Sequence, residues 1–85
     1  MQINIINVKT FKTFNFNNQQ RIAIYYLKIS TNNQDQEKFF YAKLNQNLND
    51  EYFLTFDKDF EFDQNTKDKI FDFCLNNYIQ FLITN

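Results

Sequence analysis

The segment RIAIYYLKIS, residues 21 to 30, decides the fold that the sequence predicts. Successive side chains of a β-strand point to opposite faces of a sheet. One face of this segment would carry Ile22, Ile24 and Tyr26, and the other would carry Ala23, Tyr25, Leu27 and Ile29. Because both rows are apolar, neither can face water at low cost. We therefore expect an internal strand.

The N-terminal segment is rich in β-branched side chains, but it breaks the alternation of a simple strand. Ile3 and Ile5 share one parity, whereas Ile6 and Val8 take the other. A β-bulge near residues 4 to 6, or burial on both faces, would reconcile the two patterns. Either way, the segment reads as a strand.

Asn, Asp and Gln must make the turns, because the 85 residues include no glycine and no proline. Clusters of these residues separate the apolar segments at residues 17–20, 31–36 and 45–50. Strand-like alternation follows at residues 37–44 and 51–57, and resumes with Phe60 and Phe62. The sequence thus predicts an antiparallel β-meander of four to five strands.

From Asn65 onward the apolar spacing changes from two residues to 3.6, which indicates an amphipathic helix. Asn65 would cap its N-terminus, with Asp63 and Thr66 as alternatives. The predicted apolar face comprises Ile70, Phe71, Cys74, Leu75, Tyr78, Phe81 and Leu82, and Phe73 falls off it. The prediction is a single α+β domain over residues 1–85, with the meander followed by one C-terminal amphipathic helix.

One helix covers one face of such a sheet. A second apolar face, to which we assign Tyr25, Leu27, Ile29, Phe39 and Tyr41, then needs another cover. Either the N-terminal strand folds over it, or a partner does. We expect a homodimer.

The inventory of reactive side chains argues against an enzyme. Without histidine there is no imidazole base or ligand, and without glycine there is no phosphate-binding loop. Ser30 is the only serine, and Cys74 lies on the apolar face of the predicted helix, where a small buried hydrophobe is the expected role. We expect no catalytic residues, no cofactor and no metal site.

Acidic residues recur at every second position near the end of the predicted sheet, as Asp57, Asp59, Glu61 and Asp63. An extended backbone would project them to one side. Protection of a sheet edge is the favoured interpretation, ahead of a phosphate-like row for a partner's basic groove and of a weak cation site. With Phe73, these four residues are the candidate partner-binding set.

Charge is distributed unevenly: residues 1 to 45 carry +4 and residues 46 to 85 carry −5, which sum to −1. The basic half mixes aromatic and cationic side chains, as in proteins that stack bases and neutralise phosphates. The candidate nucleic-acid set is Arg21, Lys28, Lys38, Lys43, Tyr25 and Tyr41. In topology alone, four strands followed by a helix over residues 21 to 83 resembles the repeat unit of PUR and PC4-like single-strand binders.

Abundant Phe, Asn, Ile and Lys, with three Ala and Arg residues in total, indicate an AT-rich genome such as that of many phages. The leading hypothesis is a small non-enzymatic protein-binding module. It would be an inhibitor from a phage or mobile element, anti-defence or anti-CRISPR-like, that occludes a partner's surface in the host cytoplasm. A single-stranded nucleic-acid-binding protein and a structural or oligomer-forming subunit are the alternatives. No segment approaches the length of an apolar membrane span.

Overall fold

The computed structural model describes residues 2–15, 18–31, 34–47, 49, 51–58 and 60–84. Four strands form one antiparallel sheet in the order β1-β2-β3-β4, and a helix follows them. The elements are β1 (Gln2–Asn15), β2 (Asn18–Thr31), β3 (Gln34–Gln46), β4 (Tyr52–Phe56) and α1 (Gln64–Thr84). The predicted α+β meander with a C-terminal helix is confirmed, with residues 21 to 30 in an internal strand.

A β-bulge in β1 resolves the conflicting parities of the N-terminal segment. Ile5 pairs with Leu27 and Asn7 pairs with Tyr26, so that Ile6 is the extra residue. The bulge returns Val8 to the parity of Ile5, opposite Tyr25. Since β1 lies in the sheet beside β2, it cannot also be the cover of a sheet face.

The odd-numbered apolar row of β2 forms the core together with β3 and α1. Tyr25 pairs with Ala42 and Leu27 pairs with Phe40, which places these side chains on one face under the helix. The buried residues are Ala23, Tyr25, Leu27, Ile29, Phe40, Ala42, Leu44, Ile70, Cys74 and Tyr78.

The register corrects the predicted division of the sheet into faces. Tyr26 pairs with Tyr41 and Lys28 pairs with Phe39, so Phe39 and Tyr41 lie on the face opposite the core. Placing Tyr25, Leu27 and Ile29 on that same face was therefore wrong. The parity of each strand was read correctly, but the alignment of β2 against β3 depends on the turn between them, which the apolar pattern does not determine.

The helix packs on the sheet through Ile70, Cys74 and Tyr78, each one turn after the previous one. Phe73, predicted to lie off the apolar face, is in fact half-buried against the core. At about 100° per residue, Phe73 and Leu75 flank Cys74 on opposite sides. Because a sheet is broad, side chains on both flanks of the helix reach it.

Asp63 caps the helix, rather than Asn65. Its Oδ1 accepts a hydrogen bond from the backbone N of Thr66 at 2.7 Å, and its carbonyl O accepts one from the backbone N of Lys67 at 3.0 Å. Hydrogen bonds from Thr66 to the carboxylate lower the pKa of Asp63. Asn65 already lies inside the helix.

Within the described residues, no helix has both the length and the apolar character needed to span a membrane.

Candidate functional site

The face of the sheet opposite α1, hereafter the open face, carries large apolar side chains. Phe39, Tyr41 and Phe53 are 37%, 49% and 47% exposed. They come from β3 and β4, and the register of Lys43 with Thr55 and of Asn45 with Phe53 places the two strands' contributions side by side. Ile22 and Ile24 of β2 lie on the same face and are half-buried. This apolar surface spans the two central strands and one edge strand.

Three aromatic rings pack together in the middle of the open face. The centroid of the Tyr26 ring lies 4.6 Å from that of Tyr41 and 6.1 Å from that of Phe39, with interplanar angles of 32° and 29°. Tyr26 and Tyr41 are directly paired across β2 and β3, and Phe39 is the diagonal neighbour. The sheet therefore holds the three rings together as a fixed aromatic row.

Lysines border this aromatic row. Lys28 forms an ion pair with Glu37 at 3.7 Å, with the two side chains 30% and 51% exposed. Lys9, which pairs with Ile24, and Lys43 are exposed on the same face. Neither forms an ion pair with any side chain that the structure describes. The rim of the open face thus presents two cationic groups available to a partner.

The candidate nucleic-acid residues divide between the two faces. Lys28, Lys43 and Tyr41 lie on the open face, whereas Lys38 pairs with Ile29 on the core side. The Lys38 ammonium lies 5.4 Å from the ring centroid of Phe60 and 5.6 Å from that of Phe62, a pair of cation–π contacts. The register of β2 against β3 therefore places the six candidate nucleic-acid residues on two faces, and they do not form one surface.

Tyr25 is a core residue and does not belong to a binding surface. Its side chain is 1% exposed, and its hydroxyl donates to the carbonyl O of Cys74 and to Oδ1 of Asn77, both at 3.2 Å. Burial raises its pKa. Arg21 is on the core side as well, where its positive charge opposes the rise that burial causes in the pKa of Tyr78.

The acidic positions do not form the straight row that an extended backbone would produce. β4 ends at Phe56, and Glu61 has a φ of 56°, in the left-handed region. The Asp57 carboxylate accepts a hydrogen bond from the backbone N of Tyr41 at 2.7 Å, and Asp63 is the helix cap. Asp59 lies outside the described residues. Asp57 and Asp63 thus have structural roles, and a partner-binding role for this segment stays a prediction.

Cys74 is the small buried hydrophobe that the sequence predicts. It is fully buried in the helix face, and burial raises the pKa of its thiol to about 12. No group of three or more acidic or cysteine side chains among the described residues is arranged to hold a metal ion.

Sequence reasoning missed Tyr26 and Phe39 as members of the open-face site. Tyr26 was read as one of a buried row, and Phe39 was placed beside residues of the opposite face. Their spacing contains a usable signal: Tyr26, Phe39 and Tyr41 become neighbours once β2 and β3 are paired through Tyr26 and Tyr41.

No family model, no curated protein and no solved structure matches the chain.

Proposed function

We propose that this chain is a small, non-enzymatic protein-binding module that docks through the open face. The observation that carries the proposal is the exposure of Phe39, Tyr41 and Phe53, between 37% and 49%, on a face that neither α1 nor β1 covers. Exposed apolar patches with aromatic residues at the centre and charges at the rim are typical of protein interfaces.

The charges of the rim suggest the chemistry of a complementary partner surface. Lys9 and Lys43 are exposed cations, and Glu37 is paired with Lys28. A complementary surface would present an apolar ridge to the aromatic row and carboxylates to the two lysines. We further propose that binding occludes this surface, as an inhibitor from a phage or mobile element does, anti-defence or anti-CRISPR-like, in the host cytoplasm. The AT-rich composition supports that source.

Site-specific photocrosslinking in cells of the source organism tests the proposal. A photoreactive phenylalanine analogue replaces Tyr41 in one variant and Ile83 in a matched control, since Ile83 is apolar, 72% exposed and far along the helix. We expect one protein to be crosslinked from position 41 and absent at position 83. The purified partner should then lose affinity for Tyr41→Ala by about tenfold or more, as for an interface anchor, and bind Ile83→Ala normally.

Equal crosslinking at both positions, or equal affinity of the two variants, would place the partner elsewhere on the molecule. The acidic segment is the second proposed contact, because Glu61 and Asp63 remain exposed. Phe73 packs partly against the core, so it would contribute less to this contact than the sequence suggests. A crosslinker at position 61 would report on it in the same experiment.

A single-stranded nucleic-acid binder is the second candidate, and the packed rings of Tyr26 and Tyr41 beside Lys28 and Lys43 favour it. Ring stacking on bases, combined with cations for phosphates, is the usual chemistry of such surfaces. Fluorescence anisotropy of labelled oligothymidylate and oligouridylate at two salt concentrations tests it. Salt-sensitive binding that Lys43→Gln weakens and Lys38→Gln, on the other face, leaves intact would replace protein binding as the conclusion.

A further inference from the structure

The outer edge of β1 is a long strand edge with one paired side. β1 runs for 14 residues, and within the described part of the chain it pairs with β2 alone. A strand at the edge of a sheet presents backbone N–H and C=O groups that can pair with another strand. The other edge of the sheet, β4, has 5 residues.

Most of the devices that block edge pairing are missing from the first half of β1. Residues 2 to 8 contain no charged side chain, and the chain contains no proline. The bulge at Ile6 is the exception, and it leaves Ile6 and Val8 49% and 41% exposed. The first charge along the strand is Lys9. This half of the edge can therefore pair with another strand. Pairing would also bury part of the apolar surface of Ile6 and Val8, which is favourable.

The edge at β4 is protected by comparison. Directly after this short strand, Asp57 turns its carboxylate to the backbone N of Tyr41 at 2.7 Å, and Lys58 follows it. A short strand that ends in charged residues is a common defence against edge-to-edge association. The two edges of the sheet thus differ in their capacity to pair.

We propose that the N-terminal half of β1 pairs with the same segment of a second copy, in antiparallel orientation, to give a dimer with one continuous eight-stranded sheet. The occupant is a second copy because the segment is self-complementary. For a pairing centred on Ile5, Gln2 faces Val8, and Lys9 of each copy lies beyond the partner's Gln2. Among residues 2 to 9, this register brings no like charges face to face.

Antiparallel pairing about a two-fold axis uses the same edge of both copies, so the contact closes on itself. Each end of the resulting sheet is then a protected β4 edge, which favours a discrete dimer over a fibre. This pairing is independent of the open face, because it employs backbone groups at the rim of the sheet and leaves Tyr41 and Phe53 exposed.

Sedimentation velocity over a concentration series, with hydrogen exchange of the same samples, tests the proposal. We expect a species of twice 10.5 kDa at high micromolar concentration. Amides of residues 2 to 8 should exchange slowly there and faster on dilution. Ile6→Lys with Val8→Lys should raise the dissociation constant roughly tenfold, since the two copies of position 6 are diagonal neighbours in a pairing centred on Ile5 and would bring like charges close together. The matched control, Phe53→Lys on the open face, should dimerise normally.

A monomer at every concentration would overturn the proposal. So would a dimer that Phe53→Lys dissociates while Ile6→Lys with Val8→Lys does not, because this result assigns the contact to the open face. Circular dichroism verifies that each variant is folded. If the double variant does not fold, the concentration dependence of exchange in the unaltered protein decides, and amides of residues 2 to 8 that exchange at the same rate at all concentrations reject the edge pairing.

Discussion

Truncation of Ile70 tests whether the helix is held to the sheet as the core packing requires. Ile70 is fully buried, one turn before Cys74 and beneath the same sheet. Removal of a large buried aliphatic side chain costs about 2 to 5 kcal/mol, from lost transfer energy and the cavity left behind. A domain of this size has roughly 4 to 13 kcal/mol of stability in total. Ile70→Ala should therefore remove a large share of it.

The thiol of Cys74 reports this loss directly. The thiol is buried in the folded protein, and burial raises its pKa to about 12. A disulfide reagent can therefore modify it only after the helix separates from the sheet. If each 1.4 kcal/mol raises the open population tenfold, Ile70→Ala should accelerate modification by roughly 30-fold to 4,000-fold. The assay is the release of thionitrobenzoate under native conditions.

Two further variants make the comparison quantitative. Ile70→Val, at about 0.5 to 1.5 kcal/mol, should accelerate modification roughly 2-fold to 12-fold and serves if the alanine variant does not fold. Ile83→Ala, at a position 72% exposed, should change the rate by about twofold at most. A modification rate for folded Ile70→Val equal to that of the unaltered protein would show that Ile70 does not hold the helix against the sheet.

Three other outcomes follow from the hydrogen bonds and charges of the structure. Tyr25→Phe should cost about 0.5 to 1.5 kcal/mol in urea unfolding, because it removes the hydroxyl that ties β2 to the helix, whereas Tyr41→Phe on the open face should be close to neutral. Asp63→Ala should lower stability relative to Asp63→Asn, which can still cap. The folded pKa of Asp63 lies below its ordinary 3.8, so its ionised form stabilises the folded protein fully above pH 3.8, and this stabilisation is lost as the pH falls through the folded pKa. The stability deficit of Asp63→Ala relative to the unaltered protein should therefore shrink in acid urea titrations. Asp59→Asn with Glu61→Gln should slow association with a basic partner; an unchanged association rate would leave this segment without a binding role.

The elements of the fold were predictable because each has a strong local pattern. The two apolar rows of residues 21 to 30 require an internal strand, and the broken parity of Ile3, Ile5 and Ile6 requires a bulge or double burial. The change of period after Asn65 requires a helix. These patterns arise within single elements, and the physical rules that connect spacing to burial are local as well.

The composition of the two faces was not predictable in the same way. Which row of β2 faces the helix, and which residues of β3 accompany it, depends on the register between strands, set by turns that contain neither glycine nor proline. The apolar alternation is equally satisfied by either choice when both rows are apolar. The site on the open face, which requires Tyr26, Phe39 and Tyr41 to be neighbours, therefore emerged from the structure.

The acidic positions show a second limit of pattern reading. Regular alternation from Asp57 to Asp63 suggests a strand, but the chain leaves the sheet after Phe56 and bends to begin the helix. Phe60 and Phe62 still reach the core, where their ring centroids lie 5.7 Å and 5.5 Å from that of Phe40. A connector that anchors alternate aromatics in a core reproduces the spacing of a strand without its backbone geometry.

The hydroxyl of Tyr25 bonds to a carbonyl 49 residues further along the chain, and this separation has a consequence for the order of folding. The meander joins neighbours in sequence through short turns, so it can assemble from the N-terminus as the chain is synthesised. The face of the sheet that packs against the helix stays exposed to water until Ile70, Cys74 and Tyr78 have left the ribosome. The contact between Tyr25 and the helix closes a loop of 49 residues, so it forms last and carries the largest entropic cost. We therefore expect the nascent chain to become resistant to proteases only when the helix has left the ribosome.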